Sequence, residues 1–111
     1  MSDRELLEFA AKAAGLRIVD RSYPVTLYVE SEGCKGGVRW NPLTDDGDAL
    51  RLAVSLRLSP MMRTLGCDTA DLNGTAGAYE KWGGDPYAAT RRAIVRAAAE
   101  IGRQMQEGEE A

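Results

Sequence analysis

The segment from Trp40 to Val54, W-N-P-L-T-D-D-G-D-A-L-R-L-A-V, most constrains what this chain can fold into. It reads as the end of a strand, a proline-stiffened turn, an acidic helix start and an amphipathic helix. Asn41-Pro42 breaks the strand, because proline has no N–H to give to a ladder. Thr44 or Asp45 is placed to cap the helix that follows. Asp45, Asp46 and Asp48 suit its N-terminus, where the backbone dipoles leave partial positive charge. Ala49, Leu50, Leu52, Ala53 and Leu56 are expected to face inward, with Arg51 and Ser55 outward, and Ser59-Pro60 ends the element.

Helical patterns flank this segment on both sides. Ser2 and Glu5 have capping-box spacing, so a helix is expected from about Asp3. Leu6, Leu7, Ala10, Ala13 and Ala14 share one of its faces, and Gly15 suits the residue just past its end. Further on, Asp85 caps a long helix with Pro86 at its first position. Tyr87, Thr90, Ile94, Ala97, Ala98, Ile101 and Met105 are its expected buried stripe.

Between the helices the pattern alternates. Val25, Leu27 and Val29 mark one face of a strand opened by Pro24, and Tyr28 points away from that face. Gly33, Gly36 and Gly37 read as a hairpin loop, with Val38 to Trp40 returning. Met61 to Cys67 and Thr75 to Trp82 are expected as two more strands, joined by the turn Asp71-Leu72-Asn73-Gly74. Leu16 to Tyr23 is compatible with one extra short edge strand. The expected class is α+β, with an antiparallel sheet of about four strands covered by helices in the order α-β-β-α-β-β-α. Residues 1–106 are expected to form a single domain and 107–111 a disordered acidic tail, with no internal repeat.

A chain of 111 residues suffices for one core, and 44% apolar with 28% charged residues is a globular balance. The net charge of −3 disfavours nucleic-acid binding over the whole surface and leaves only a local basic stripe. No apolar run reaches membrane-spanning length, and Ser2-Asp3-Arg4-Glu5 is unlike the start of a signal peptide. The expected location is the cytoplasm of a bacterial host cell.

Histidine is absent. That removes Ser-His-Asp and Cys-His catalysis and histidine-based zinc sites. Cys34 and Cys67 have no motif spacing and read as free or packed thiols in a reducing compartment. Asp45-Asp46-Gly47-Asp48 resembles a calcium loop only briefly, since the twelfth position from Asp45 is Leu56 and not a bidentate Glu. Glu32 to Gly37 lacks the phosphate-loop pattern. No catalytic residue, metal or cofactor is expected.

The concentrated positive charge lies on the last helix. Arg92, Arg96 and Arg103 occupy one sector, with Arg91 at the border of the apolar stripe. Guanidinium groups suit phosphates and carboxylates because they donate paired bonds from a planar fork. The plainer reading is a solvated face, with Glu100 neutralising Arg96. Trp40 and Tyr87 stand as aromatic support for a contact, against ordinary core packing. The candidate partner-binding residues are therefore Arg91, Arg92, Arg96, Trp40, Asn41 and Tyr87.

The Trp40–Val54 motif, together with D-P-Y-A-A-T-R-R-A-I-V-R-A-A-A-E-I-G at Asp85 to Gly102, resembles small proteins of bacteriophages and prophages. The layout is similar to phage ABA sandwich domains and, more distantly, to NinX-like proteins of lambdoid phages. Residues 59–84 match that group least, and either that hairpin or the Arg91/Arg92/Arg96 helix is expected to make the partner contact. The resemblance implies a sheet flanked by helices and carries no catalytic residue over. It also implies a setting, counter-defence, in which a non-enzymatic binding protein occupies a host defence protein or sequesters an anionic nucleotide-type signal. A nucleic-acid-binding accessory protein of phage development is the alternative, and a carboxylate–metal enzyme would require acidic residues converging in one pocket. Pairing of sheet edges or faces leaves a homo-oligomer open.

Overall fold

The computed structural model describes residues 1–22 and 26–110. Among these, the chain forms helices α1 (Asp3–Ala13), α2 (Asp46–Leu56) and α3 (Pro86–Glu110). The strands are β1 (Ile18–Asp20), β2 (Leu27–Ser31), β3 (Cys34–Trp40), β4 (Ser59–Met62), β5 (Gly66–Ala70) and β6 (Gly77–Lys81). The class is α+β, in the order α-β-β-β-α-β-β-β-α. In place of one sheet of about four strands there are two antiparallel three-stranded meanders, β1-β2-β3 and β4-β5-β6.

Two segments account for the difference. The weak pattern after α1 supplies β1, which pairs Ile18 with Val29. Met61 to Cys67, expected as one strand, folds back on itself. Met62 pairs with Cys67, and the Arg63 N–H donates to the Gly66 carbonyl at 2.9 Å. Pro60 hides β4 in the sequence because it resembles a helix stop. Hydrogen-bonded pairs alternate along an antiparallel ladder, so Ser59, Met61 and Arg63 turn their backbone groups towards β5. Pro60 therefore sits where its missing N–H would point out of the sheet, a place an edge strand tolerates. The expected strand start at Pro24 and Val25, and Tyr23 before it, lie outside the described residues; β2 is described from Leu27.

The helix ends follow local chemistry closely. Ser2 accepts the Glu5 N–H at 3.1 Å and Glu5 reaches back to the Ser2 N–H, which completes the capping box. Asp45 caps α2 through the Asp48 N–H at 2.8 Å, and Asp85 caps α3 through Tyr87 and Ala88. Gly15, at φ 72°, closes α1 as expected. The Asp71 turn holds through Thr75 and Ala76. Gly36 and Gly37 are not loop residues. They lie inside β3 at φ near 80°, where β3 has more residues than β2 between the pairs Val29–Val38 and Ser31–Cys34. Both sit in the left-handed region that glycine enters without strain.

One buried cluster joins Leu6, Leu7 and Ala10 of α1 with Leu27, Val29 and Trp40 of the first sheet, Leu52 and Ala53 of α2, and Ile94, Val95 and Ala98 of α3. Helix α3 touches α1, α2 and the second sheet, so it is small-sided almost all round. Gly102 shows why. A Cβ there would run into the Phe9 backbone, so the α1–α3 crossing depends on its absence. Glu107 to Glu110, expected within a disordered tail, continue α3, and Glu109 pairs with Lys12 at 2.8 Å. Ala111 lies outside the described residues. Among the described residues no helix is long and apolar enough to cross a membrane.

Candidate functional site

The arginines of α3 are held by the fold. Arg91 keeps a side chain only 16% exposed, donating from Nε to the Leu43 carbonyl at 2.8 Å and from a terminal nitrogen to Asp46 at 2.6 Å. It thereby ties α3 to the start of α2. Arg92 pairs with Asp3 at 3.0 Å and lies 3.9 Å from Glu80. Arg96 pairs with Glu80 and donates to the Tyr79 carbonyl at 3.1 Å. The carboxylate expected on Arg96, Glu100, instead binds Arg103, which also takes Glu107. That guanidinium holds the Glu100 carboxyl below the usual carboxylate range. The expected basic stripe is thus a chain of ion pairs reaching to α1, α2 and β6.

Trp40 is buried in the core beside α2, as ordinary core packing requires, and not exposed for a contact. Asn41 is buried too. Its N–H donates to Asp48 at 3.0 Å, and its side-chain oxygen accepts the Leu43 N–H at 3.0 Å. Both residues shape the turn into α2. Asp45, Asp46 and Asp48 are likewise engaged, as a cap, with Arg91, and with Asn41 and Arg51. Among the described residues no group of three or more Cys, Asp or Glu is placed to hold a metal ion. Cys34 is exposed and Cys67 buried, each a free thiol, and the Cys67 sulfur lies 3.5 Å from the Thr69 hydroxyl.

Tyr87 departs from its expected place on the buried stripe of α3: it is 71% exposed. Met105, also expected inside, is exposed as well. Leu50, expected on the inward face of α2, is 63% exposed, as is Met62 of β4. Tyr87, Leu50 and Met62 stand round one groove of 480 Å³ between α2, β4 and the start of α3. Pro60, Trp82 and Ile94 contribute to its lining. The Trp82 ring nitrogen donates to the Arg63 carbonyl at 2.9 Å, which fixes the indole against the β4–β5 turn. The lining is chiefly apolar, and Asp46 stands at its edge.

No family model, curated protein or solved structure searched for similarity matches this chain. The groove has to be read from its own chemistry.

Of the six candidate residues, Arg91 and Tyr87 line this groove, while Trp40, Asn41, Arg92 and Arg96 lie elsewhere. Leu50 was not among the candidates, whereas Met62 and Trp82 fall in the 59–84 segment expected as one of two contact surfaces, though neither was singled out. One signal for Leu50 was present in the sequence. Ala49, Leu52, Ala53 and Leu56 already complete one stripe of α2, and Leu50 with Val54 forms a second stripe beside it. Apolar residues round so much of an amphipathic helix imply a second neighbour. Met62 gave no comparable signal, because the expected strand from Met61 to Cys67 hid the turn that puts Met62 on an edge strand.

Proposed function

We propose that this chain is a non-enzymatic binding protein of a phage or prophage, acting in counter-defence by occupying a host protein. The observation that carries the binding reading is the groove with Leu50, Met62 and Tyr87 exposed round it. Burying large apolar and aromatic side chains in a central pocket supplies most of the free energy at protein interfaces. Methionine adds a side chain that adapts to the shape of its partner. The setting rests on the resemblance of the Trp40–Val54 and Asp85–Gly102 motifs to phage proteins. Nucleotide and nucleic-acid ligands draw less support, because Arg91, Arg92 and Arg96 each already have a carboxylate.

The test compares the wild-type chain with a Leu50→Lys/Tyr87→Lys variant. Both positions are exposed, so the variant is expected to fold with an unchanged circular dichroism spectrum. Wild type is expected to retain a host protein from infected-cell lysate and to relieve restriction of a phage, and the variant to do neither. Salt-sensitive retention of nucleic acid, unaffected by the two substitutions, would replace this reading with the accessory-protein alternative.

A further inference from the structure

We infer that the occupant of the groove is an amphipathic α-helix with basic residues flanking its apolar stripe. This rests on the binding reading above and specifies the chemistry of the partner. Two features of the second sheet and one of the rim lead to it.

A partner segment must satisfy its own backbone when it enters an apolar groove. An extended segment does so by pairing with a sheet edge, and a helix does so internally. The edge next to the groove is β4, and Pro60 removes one of its outward donors. The opposite edge of that sheet is β6. The bonds from Asp71 to Ala76 and from Trp82 to Leu65 bracket β6, so the Tyr79 carbonyl faces away from β5. Arg96 takes that carbonyl. Both edges are therefore blunted against an added strand. The groove itself runs between two helices and presents Leu50, Met62 and Tyr87 as contact points, a lining into which an apolar helical stripe can fit.

Charge on the rim selects the flanks of that stripe. Asp46 is largely exposed at the groove, and Asp85 is exposed immediately before the lining residue Pro86. The guanidinium at the groove, Arg91, is turned inward onto Leu43 and Asp46. Arg63 is taken by Asp68 at 3.2 Å, and Lys81 alternates with Glu80 and so points away from α3. Asp46 gives one carboxylate oxygen to Arg91, and Asp85 gives one to the Tyr87 and Ala88 amides, so the rim offers the second oxygen of each to lysine or arginine on a partner's flanks.

The test uses the isotope-labelled full chain and three synthetic peptides of about 14 residues, or roughly four helical turns. One carries leucine at helical spacing with lysine flanks, the second has glutamate for every lysine, and the third is an alternating strand-former with the charge of the first. The lysine helix is expected to shift the amide signals of Leu50, Met62 and Tyr87. The glutamate helix is expected to bind at least about tenfold more weakly, and the strand peptide to leave these signals unmoved. Leu50→Lys, with an otherwise unchanged spectrum, is expected to abolish the shifts.

Equal binding of both helices, preference for the strand peptide, or shifts confined to another surface would overturn the inference. So would concentration-dependent shifts of the same amides without peptide, which would give the groove to a second copy of the chain. If capture of a host protein stays groove-dependent while the lysine helix fails, only the partner class is wrong. If both fail, the binding reading falls with it.

Discussion

In the first half of the chain, α1 ends at Gly15 in the left-handed region and the Leu16 N–H closes on the Ala11 carbonyl at 2.9 Å. In the second half, α2 ends at Arg57 in the same region and the Leu58 N–H closes on the Ala53 carbonyl at 2.9 Å. A three-stranded meander follows each helix. Each meander runs out into a tryptophan, Trp40 or Trp82, ahead of an aspartate-capped helix. Gly15 to Arg57, Leu16 to Leu58 and Trp40 to Trp82 span the same number of residues. The molecule is thus two α-β-β-β units in succession, with α3 added, a repeat that the residue types do not display.

The units differ in where their apolar residues go. Leu6, Leu7, Leu27, Val29 and Trp40 of the first are buried. Leu50, Val54, Met61, Met62 and Leu65 of the second are exposed. The second sheet is anchored by α3, which covers Cys67 and Thr69 and reaches Glu80 through Arg92 and Arg96. With that cover in place, the outer stripe of α2 and the tip of the β4–β5 hairpin are not needed for the core. Apolar surface that folding does not use is then available for a partner.

The sharpest way to break this contrast is to truncate one leucine in each unit. Leu27→Ala removes a fully buried side chain and is expected to cost about 2–5 kcal/mol in urea unfolding. Leu50→Ala is expected to stay within about 0.5 kcal/mol of wild type. Equal losses would erase the difference between the units.

Next is the seam that ties α1 to α3. Gly102→Ala is expected to cost about 1–3 kcal/mol, because the added methyl meets the Phe9 backbone. Gly108→Ala, on the same helix with open space round it, is expected to gain up to about 1 kcal/mol. If both substitutions stabilise the protein, the close crossing is absent.

A smaller effect is expected at Glu80, whose side chain is 23% exposed between Arg92 and Arg96. Glu80→Gln should cost about 1 kcal/mol at low salt and less at about 1 M salt. In the first unit, Glu8→Gln breaks more exposed pairs with Arg4 and Arg21 and should cost under about 0.5 kcal/mol. Unfolding the two variants side by side at both salt concentrations decides the matter.

The least expected effect is on pH dependence. The Thr75 hydroxyl, with the Ala76 and Thr75 amides, holds the Asp71 carboxyl below the usual carboxylate range. A folded value below the unfolded one means that the contribution is complete above the unfolded value and lost as pH falls through the folded one. Asp71→Asn should therefore lose part of the wild-type decline of the urea midpoint in acid. An identical pH profile would show that the turn draws nothing from the ionised carboxylate.

How much of this was legible depended on how far apart the interacting residues lie. Capping bonds join residues two or three apart, so Ser2 with Glu5, Asp45 with Asp48 and Asp85 with Tyr87 declared the helix starts. The Asp71–Gly74 turn was legible for the same reason. Strand number was not, because Pro60 carries one signal for a helix stop and another for a sheet edge. Only the pairing with Thr69 decides between them.

The site was less legible than the fold. Arg92 meets Asp3 across 89 positions and Arg91 meets Asp46 across 45, so nothing near them in sequence announced that their charge was already satisfied. Residue order by itself determined the helices, their caps and a mixed α+β class, since those follow from dihedral preferences and bonds within a turn. Tertiary structure alone decided that there are two sheets, that α3 serves both halves, and that Leu50, Met62 and Tyr87 surround a groove. Burial is a property of what packs against a residue, and for these three the neighbours come from α2, β4 and α3, which only the folded chain brings together.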